Sequence, residues 1–169
     1  MKHYLVIVAL LIVAGITLTA CGDDEPKAKD TVTATYNMTF SQDLLEACNV
    51  FITYKAENGR NVMEAVNATK WTKTVTSDKF PAEFGVMYMF STKSDAELTK
   101  EQYDLACELN FVSMTSNGDS FNNNVTIINS QGVSRDKVVS TLDKLSGKST
   151  GFRISKNGIP TQANNLNYE

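Results

Sequence analysis

Histidine is almost missing from this chain: its single copy, His3, lies at the extreme amino terminus. The body of the protein therefore lacks the commonest general base, the commonest metal ligand and the usual pH switch. That excludes Ser-His-Asp and Cys-His catalysis and most zinc sites from it. There is no excess of basic charge either, with 16 Lys and Arg against 19 Asp and Glu. A mildly acidic chain with scattered lysines argues against nucleic acid as a partner and against a polybasic membrane patch. Long apolar runs are confined to residues 4–18, too short for the roughly 20 residues of a spanning helix. Tryptophan occurs once, as Trp71, and cysteine three times, as Cys21, Cys48 and Cys107.

The short apolar run is informative. Lys2 and His3 give it a positive start, and it ends in Leu18-Thr19-Ala20-Cys21. A basic start, about a dozen apolar residues and a small-residue terminus make a signal sequence. The last four residues resemble the lipobox of bacterial lipoproteins: a branched apolar residue, two small ones, then cysteine. The resemblance implies a diacylglycerol thioether on Cys21, cleavage by signal peptidase II between Ala20 and Cys21, and acylation of the new amine. Two or three acyl chains, at about 0.8 kcal/mol per buried methylene, give stable anchoring where one gives marginal binding. The expectation is a protein held to the outer membrane by the lipid on Cys21, without spanning it.

Residues 21–30 hold three consecutive acids, Asp23, Asp24 and Glu25, then Pro26 and two lysines, with no large apolar side chain. Such a segment cannot bury a face and reads as a solvated tether. It also resembles the acidic export signal behind the lipid cysteine of Bacteroidetes surface lipoproteins, which implies display on the cell exterior; the alternative is the periplasmic face. Asp30-Thr31-Val32 is similar to the O-glycosylation acceptor pattern of that phylum, which would place a glycan on Thr31. The sequons at Asn37, Asn67 and Asn124 carry no weight in a bacterial lipoprotein.

Cleavage of 20 of the 169 residues leaves 149, enough for one domain with a real core. Losing Lys2 leaves 15 basic against 19 acidic residues, a net charge of −4. With Cys21 lipidated, Cys48 and Cys107 remain, an even count in an exported chain. Such a pair can be bonded or can pack as two free core thiols; the preferred reading is two buried cysteines close in space.

Val32, Ala34, Tyr36, Met38 and Phe40 alternate with polar residues, the period of a half-buried strand. Ser41 then caps a single helical turn over residues 42–47. Residues 48–56 and 62–66 flank Asn58-Gly59, the strongest short hairpin signal. Further strands are predicted over residues 71–75, 84–90, 103–112, 122–129 and 151–156. The fifth is apolar on both faces, as a central strand is. Residues 94–101 have helix propensity, but the alternation that follows them governs. One helix is predicted after Ser134, with Val138, Val139, Leu142 and Leu145 on a buried stripe and Gly147 ending it. The tail over residues 159–169 is polar and reads as loose.

Seven or eight short strands with one helix before the last predict an antiparallel, immunoglobulin-like β-sandwich over residues 31–158, with an α+β fold as the alternative. The tyrosine and tryptophan spacings around Cys48 and Cys107 differ from those of true immunoglobulin domains. Ser41-Gln42-Asp43-Leu44-Leu45, residues 54–59, Trp71-Thr72-Lys73-Thr74-Val75, residues 80–85 and residues 98–105 together resemble small surface lipoproteins of Bacteroidales with β-sandwich bodies. That resemblance covers residues 31–112, implies compartment and fold, and transfers no site residues.

Candidate chemistry is sparse. Asp95 with Glu97, Glu101 with Asp104, and Asp136 with Asp143 are carboxylate pairs in polar segments, read as solubilising charge and not as a glycosidase pair. Asp119, Ser120 and the Asn122-Asn123-Asn124 run match no calcium loop and read as a turn. Phe84, Met87, Tyr88, Met89 and Phe90 read as core packing more than as a binding strip, and Trp71 as buried under the sandwich edge. No cofactor, metal or catalytic residue is expected. The expected function is a non-enzymatic binding or accessory module for an unidentified protein or glycan. The alternatives are an envelope-assembly subunit pairing through a strand edge and, remotely, a carboxylate-dependent glycosidase.

Overall fold

The computed structural model describes residues 30–94 and 97–169; the signal sequence, Ala20, Cys21, most of the tether and Asp95 lie outside the described residues. Among the described residues nine strands form two antiparallel sheets. The first has the order β4-β1-β6-β7, from β1 (Val32–Phe40), β4 (Lys70–Ser77), β6 (Gln102–Thr115) and β7 (Ser120–Ser134). The second has the order β3-β2-β5-β8-β9, from β2 (Cys48–Lys55), β3 (Asn61–Val66), β5 (Ala82–Thr92), β8 (Ser149–Ile154) and β9 (Pro160–Gln162). The fold is therefore the mainly β sandwich that the alternation predicts. β5, apolar on both faces, is the central strand of its sheet. In an immunoglobulin domain the last two strands of one sheet follow each other directly. Here β5 and β8 are neighbours although the β6–β7 hairpin, in the other sheet, comes between them.

Alternation sets the faces. Val32, Ala34, Tyr36, Met38 and Phe40 are all buried, and Leu105, Cys107, Leu109 and Phe111 of β6 join them. Across the sandwich, Phe111 stacks on Phe152 of β8 with ring centres 4.9 Å apart and lies 6.0 Å from Phe84 of β5. Tyr36 ties the layers by hydrogen bonds: its hydroxyl donates to Lys55 O (2.9 Å) and accepts from Gly85 N (3.0 Å). Burial pushes that hydroxyl's pKa far above its ordinary value.

The connections follow local chemistry. Ser41 caps α1 (Gln42–Ala47), its Oγ accepting from Leu44 N at 3.2 Å. Asn58 (φ 56°) and Gly59 (φ 82°) both take left-handed backbone between β2 and β3, as a primed hairpin turn requires. The second helix, α2 (Arg135–Asp143), buries Val138 and Leu142 and ends earlier than predicted, so half-buried Leu145 packs from the turn that follows it. Val139 is 39% exposed, so the predicted stripe is narrower by one residue. β7 is longer than predicted because two register shifts keep it paired with β6. At one of them Ile127 and Ile128 both turn inward, as a bulge allows.

The largest correction concerns the tail. Residues 159–169 were expected to be loose. They supply the ninth strand and then pack on the outer face of the second sheet, burying Ala163 and Leu166. Gly85 and Gly151 sit directly opposite each other in β5 and β8, opening a slot that Tyr168 and Leu166 fill. A Cβ on Gly85 would meet Tyr168 Oη and lie 2.7 Å from Thr150 O. Lys55, buried, donates its ammonium to Asn167 O and lies 5.3 Å from the Tyr168 ring centre.

Candidate functional site

The outward side chains of the first sheet form an uncharged lattice that is polar except at Val112 and Met114. Strand register lines them up in rows: Thr72, Asn37, Asn110 and Asn124; then Thr74, Thr35, Val112 and Asn122; then Thr76, Thr33, Met114 and Ser120. Neighbouring strands lie about 4.8 Å apart and alternate residues about 6.7 Å apart, so hydroxyls and amides repeat in two dimensions. None of the twelve positions is charged. Charge enters only in the next row, at Lys70 and Glu108 flanking Thr39.

Hydrogen bonds hold this lattice in place. Thr72 Oγ1 donates to Asn37 Oδ1 (3.1 Å), and Asn37 Nδ2 donates to Asn110 Oδ1 (3.3 Å). Asn110 Nδ2 then donates to both Asn122 Oδ1 (2.8 Å) and Asn124 Oδ1 (2.7 Å). Thr33 with Thr76, and Thr35 with Thr74, pair through hydroxyls at 3.0 Å. Asn110 is the hub. Around it lies a shallow hollow of about 370 Å³, bordered by Asn37, Thr39, Glu108, Asn124 and Thr126. The sequence reading saw threonines on the outer side of β1 and a turn in the asparagine run. The strand predicted over residues 122–129 holds most of that run, but the site is not legible in the sequence because its hydrogen-bond partners lie more than ten residues apart.

The other surfaces differ in chemistry. A larger hollow, about 570 Å³, lies between α1 and the β3–β4 connection, with Gln42, Leu45, Asn49, Phe51 and Asn67 among its walls. The Phe84–Phe90 stretch divides between two roles. Phe84, Tyr88 and Phe90 point into the core, while Met89, 42% exposed, joins Met63 on the outer face of the second sheet. Trp71 is buried at the sheet edge as expected, its Nε1 donating to Glu64 Oε2 at 3.1 Å.

Several of the described carboxylates are engaged by cations. Asp43 and Glu46 share Lys100 at 2.6 and 2.5 Å, and that ammonium holds both below their usual pKa. Burial works against ionising Glu64, but hydrogen bonds from Lys73, Trp71 and Tyr54 outweigh it and lower its pKa. Glu83 meets Arg153 at 2.9 Å. Glu101 lies just before β6, Asp104 within it, and Asp136 and Asp143 in α2. Asp104 serves the backbone, its Oδ1 accepting from Gly132 N at 2.8 Å.

Of the two arrangements open to Cys48 and Cys107, the structure has the free one, with both thiols buried. Burial pushes Cys48 up to about 12, and burial together with nearby Cys48 pushes Cys107 up as well. Thr31 is half-buried where the chain enters β1, its N–H donating to Ser116 Oγ at 3.2 Å. Among the described residues no cluster of three or more His, Cys, Asp or Glu could hold a metal, and no helix is long and apolar enough to cross a membrane. No protein-family model, curated protein or solved structure matches the chain.

Proposed function

We propose that this protein is a lipid-anchored, surface-exposed binding module that acts without catalysis. Its ligand is a neutral, hydroxyl-rich chain of the glycan class, held on the outer face of the first sheet. The carrying observation is the uncharged threonine–asparagine lattice fixed by the Asn37–Asn110–Asn124 hydrogen bonds. A neutral polyol exchanges hydrogen bonds with water at little net gain, so a receptor gains affinity by holding its donors and acceptors in place beforehand. A strongly charged ligand would find no counter-charge within these three rows. Hydrogen bonds and ion pairs lower the pKa of Asp43 and Glu64, so neither suits the role of the protonated acid a glycosidase needs. Anchoring rests on Leu18-Thr19-Ala20-Cys21, and outward display on the acids behind it.

The test compares neutral with acidic polysaccharides on immobilised full-length protein. Asn110→Ala should weaken neutral-glycan binding about tenfold, as expected for losing a hub of roughly 1.4 kcal/mol, with little change in Tm. Equal binding by wild type and variant, or a preference for acidic glycans, would overturn the ligand reading. The anchor is tested separately: Cys21→Ala should abolish labelling by a palmitate analogue and release the protein from membranes.

A further inference from the structure

We infer that β7 is a self-pairing edge, and that two copies of this chain join through residues 120–126 into one continuous eight-stranded sheet. Exposed edge strands template association unless charge, proline or shortness blunts them. Three of the four edges here are blunted: β4 carries Lys70 and Lys73, β3 carries Glu64, and β9 is three residues long and begins with Pro160. β7 runs for 15 residues without one Asp, Glu, Lys, Arg or Pro.

The occupant follows from symmetry. Beyond Thr126 the two register shifts make the edge irregular, which leaves residues 120–126 as the regular stretch, paired in unbroken register with β6. That stretch reads Ser-Phe-Asn-Asn-Asn-Val-Thr, and its chemistry is palindromic about Asn123. Antiparallel pairing of two copies about a twofold axis at Asn123 sets Ser120 against Thr126, Phe121 against Val125 and Asn122 against Asn124. Hydroxyl faces hydroxyl, apolar faces apolar, and amide faces amide. The alternation keeps each pair on one face of the joined sheet.

The asparagine lattice supplies a second argument. Asn110 donates into Asn122 Oδ1 and Asn124 Oδ1. Among the described residues, neither Asn122 Nδ2 nor Asn124 Nδ2 donates a bond within the chain, so the lattice ends at the edge in unused donors. In the pairing these donors face the amide oxygens of the second copy, each with a lone pair free, and the lattice runs on into that copy. The inference stands on the edge and its symmetry, independently of the glycan reading.

Sedimentation of the full chain in detergent should give a mass that moves from one to two copies as concentration rises. Asn122→Lys with Asn124→Lys places like charges opposite each other twice and should weaken the dimer about tenfold. Asn122→Asp with Asn124→Lys removes the same amides but sets opposite charges across the axis, and should retain the dimer. A cysteine at the axis meets its own copy at a Cα separation of about 4.5–5.5 Å, within disulfide range. Asn123→Cys should therefore crosslink to itself under mild oxidant, and Thr126→Cys should not. A monomer at every concentration would overturn the inference. So would equal loss of dimer in both charge variants, crosslinking as ready at position 126 as at 123, or capture of a different protein at position 123.

Discussion

Tyr36 shows how much one side chain can carry in a sandwich whose layers belong to different parts of the chain. Its hydroxyl bridges Lys55 O in β2 and Gly85 N in β5, two backbone groups of the opposite sheet. Tyr36→Phe keeps the ring and removes both hydrogen bonds from the core. The expected cost is about 2 kcal/mol, read as a lower denaturation midpoint at unchanged m. The alternation placed Tyr36 inward from sequence. Its hydrogen bonds were not legible there, because their acceptor and donor lie 19 and 49 residues away.

At the scale of elements, the carboxy-terminal strap is the segment whose character the sequence misled. Its residues are polar and carry no period, yet Gly85 opposite Gly151 creates a slot shaped for Tyr168 and Leu166. The fit is incomplete, since Tyr168 Oη is buried without a hydrogen-bond partner. Tyr168→Phe should therefore raise stability by about 1 kcal/mol, while Tyr168→Ala, which empties the slot, should lower it by about 2–3 kcal/mol. Thermal melts of the two variants should move in opposite directions from wild type. The helix cap and the turn were more legible: the Ser41–Leu44 cap bond and the left-handed Asn58-Gly59 backbone are local to a few residues.

For the whole molecule, the core is intolerant of alkali. Cys48, Cys107 and Tyr36 all have pKa values raised by burial, so the native state keeps them neutral where the unfolded chain ionises. A group with a raised native pKa contributes stability that is complete below its unfolded pKa and is lost as pH rises toward the native one. For Cys48 the window runs from about 9 to about 12. Denaturation midpoints should be level at neutral pH and fall steadily above about pH 9. In the same experiment both thiols should resist alkylation until the chain unfolds, because the reactive thiolate is absent from the native state. Rapid labelling at neutral pH without denaturant would contradict the buried, free arrangement.

What the sequence determined by itself was everything written in short windows: strand alternation, the Ser41 cap, the Asn58-Gly59 turn and the inward aromatic rows. Period two says which side of a strand is wet, and it says the same for β1 and β7. It cannot say that β1 has a neighbour on each side while β7 has one, because strand partners are chosen by contacts far apart in the chain. Only the tertiary structure decided that four strands would align their threonines and asparagines into one face, that the tail would fill a glycine slot, and that the two cysteines would stay free. Each of these depends on which residues are brought opposite one another, and that is a property of register and packing, not of local composition.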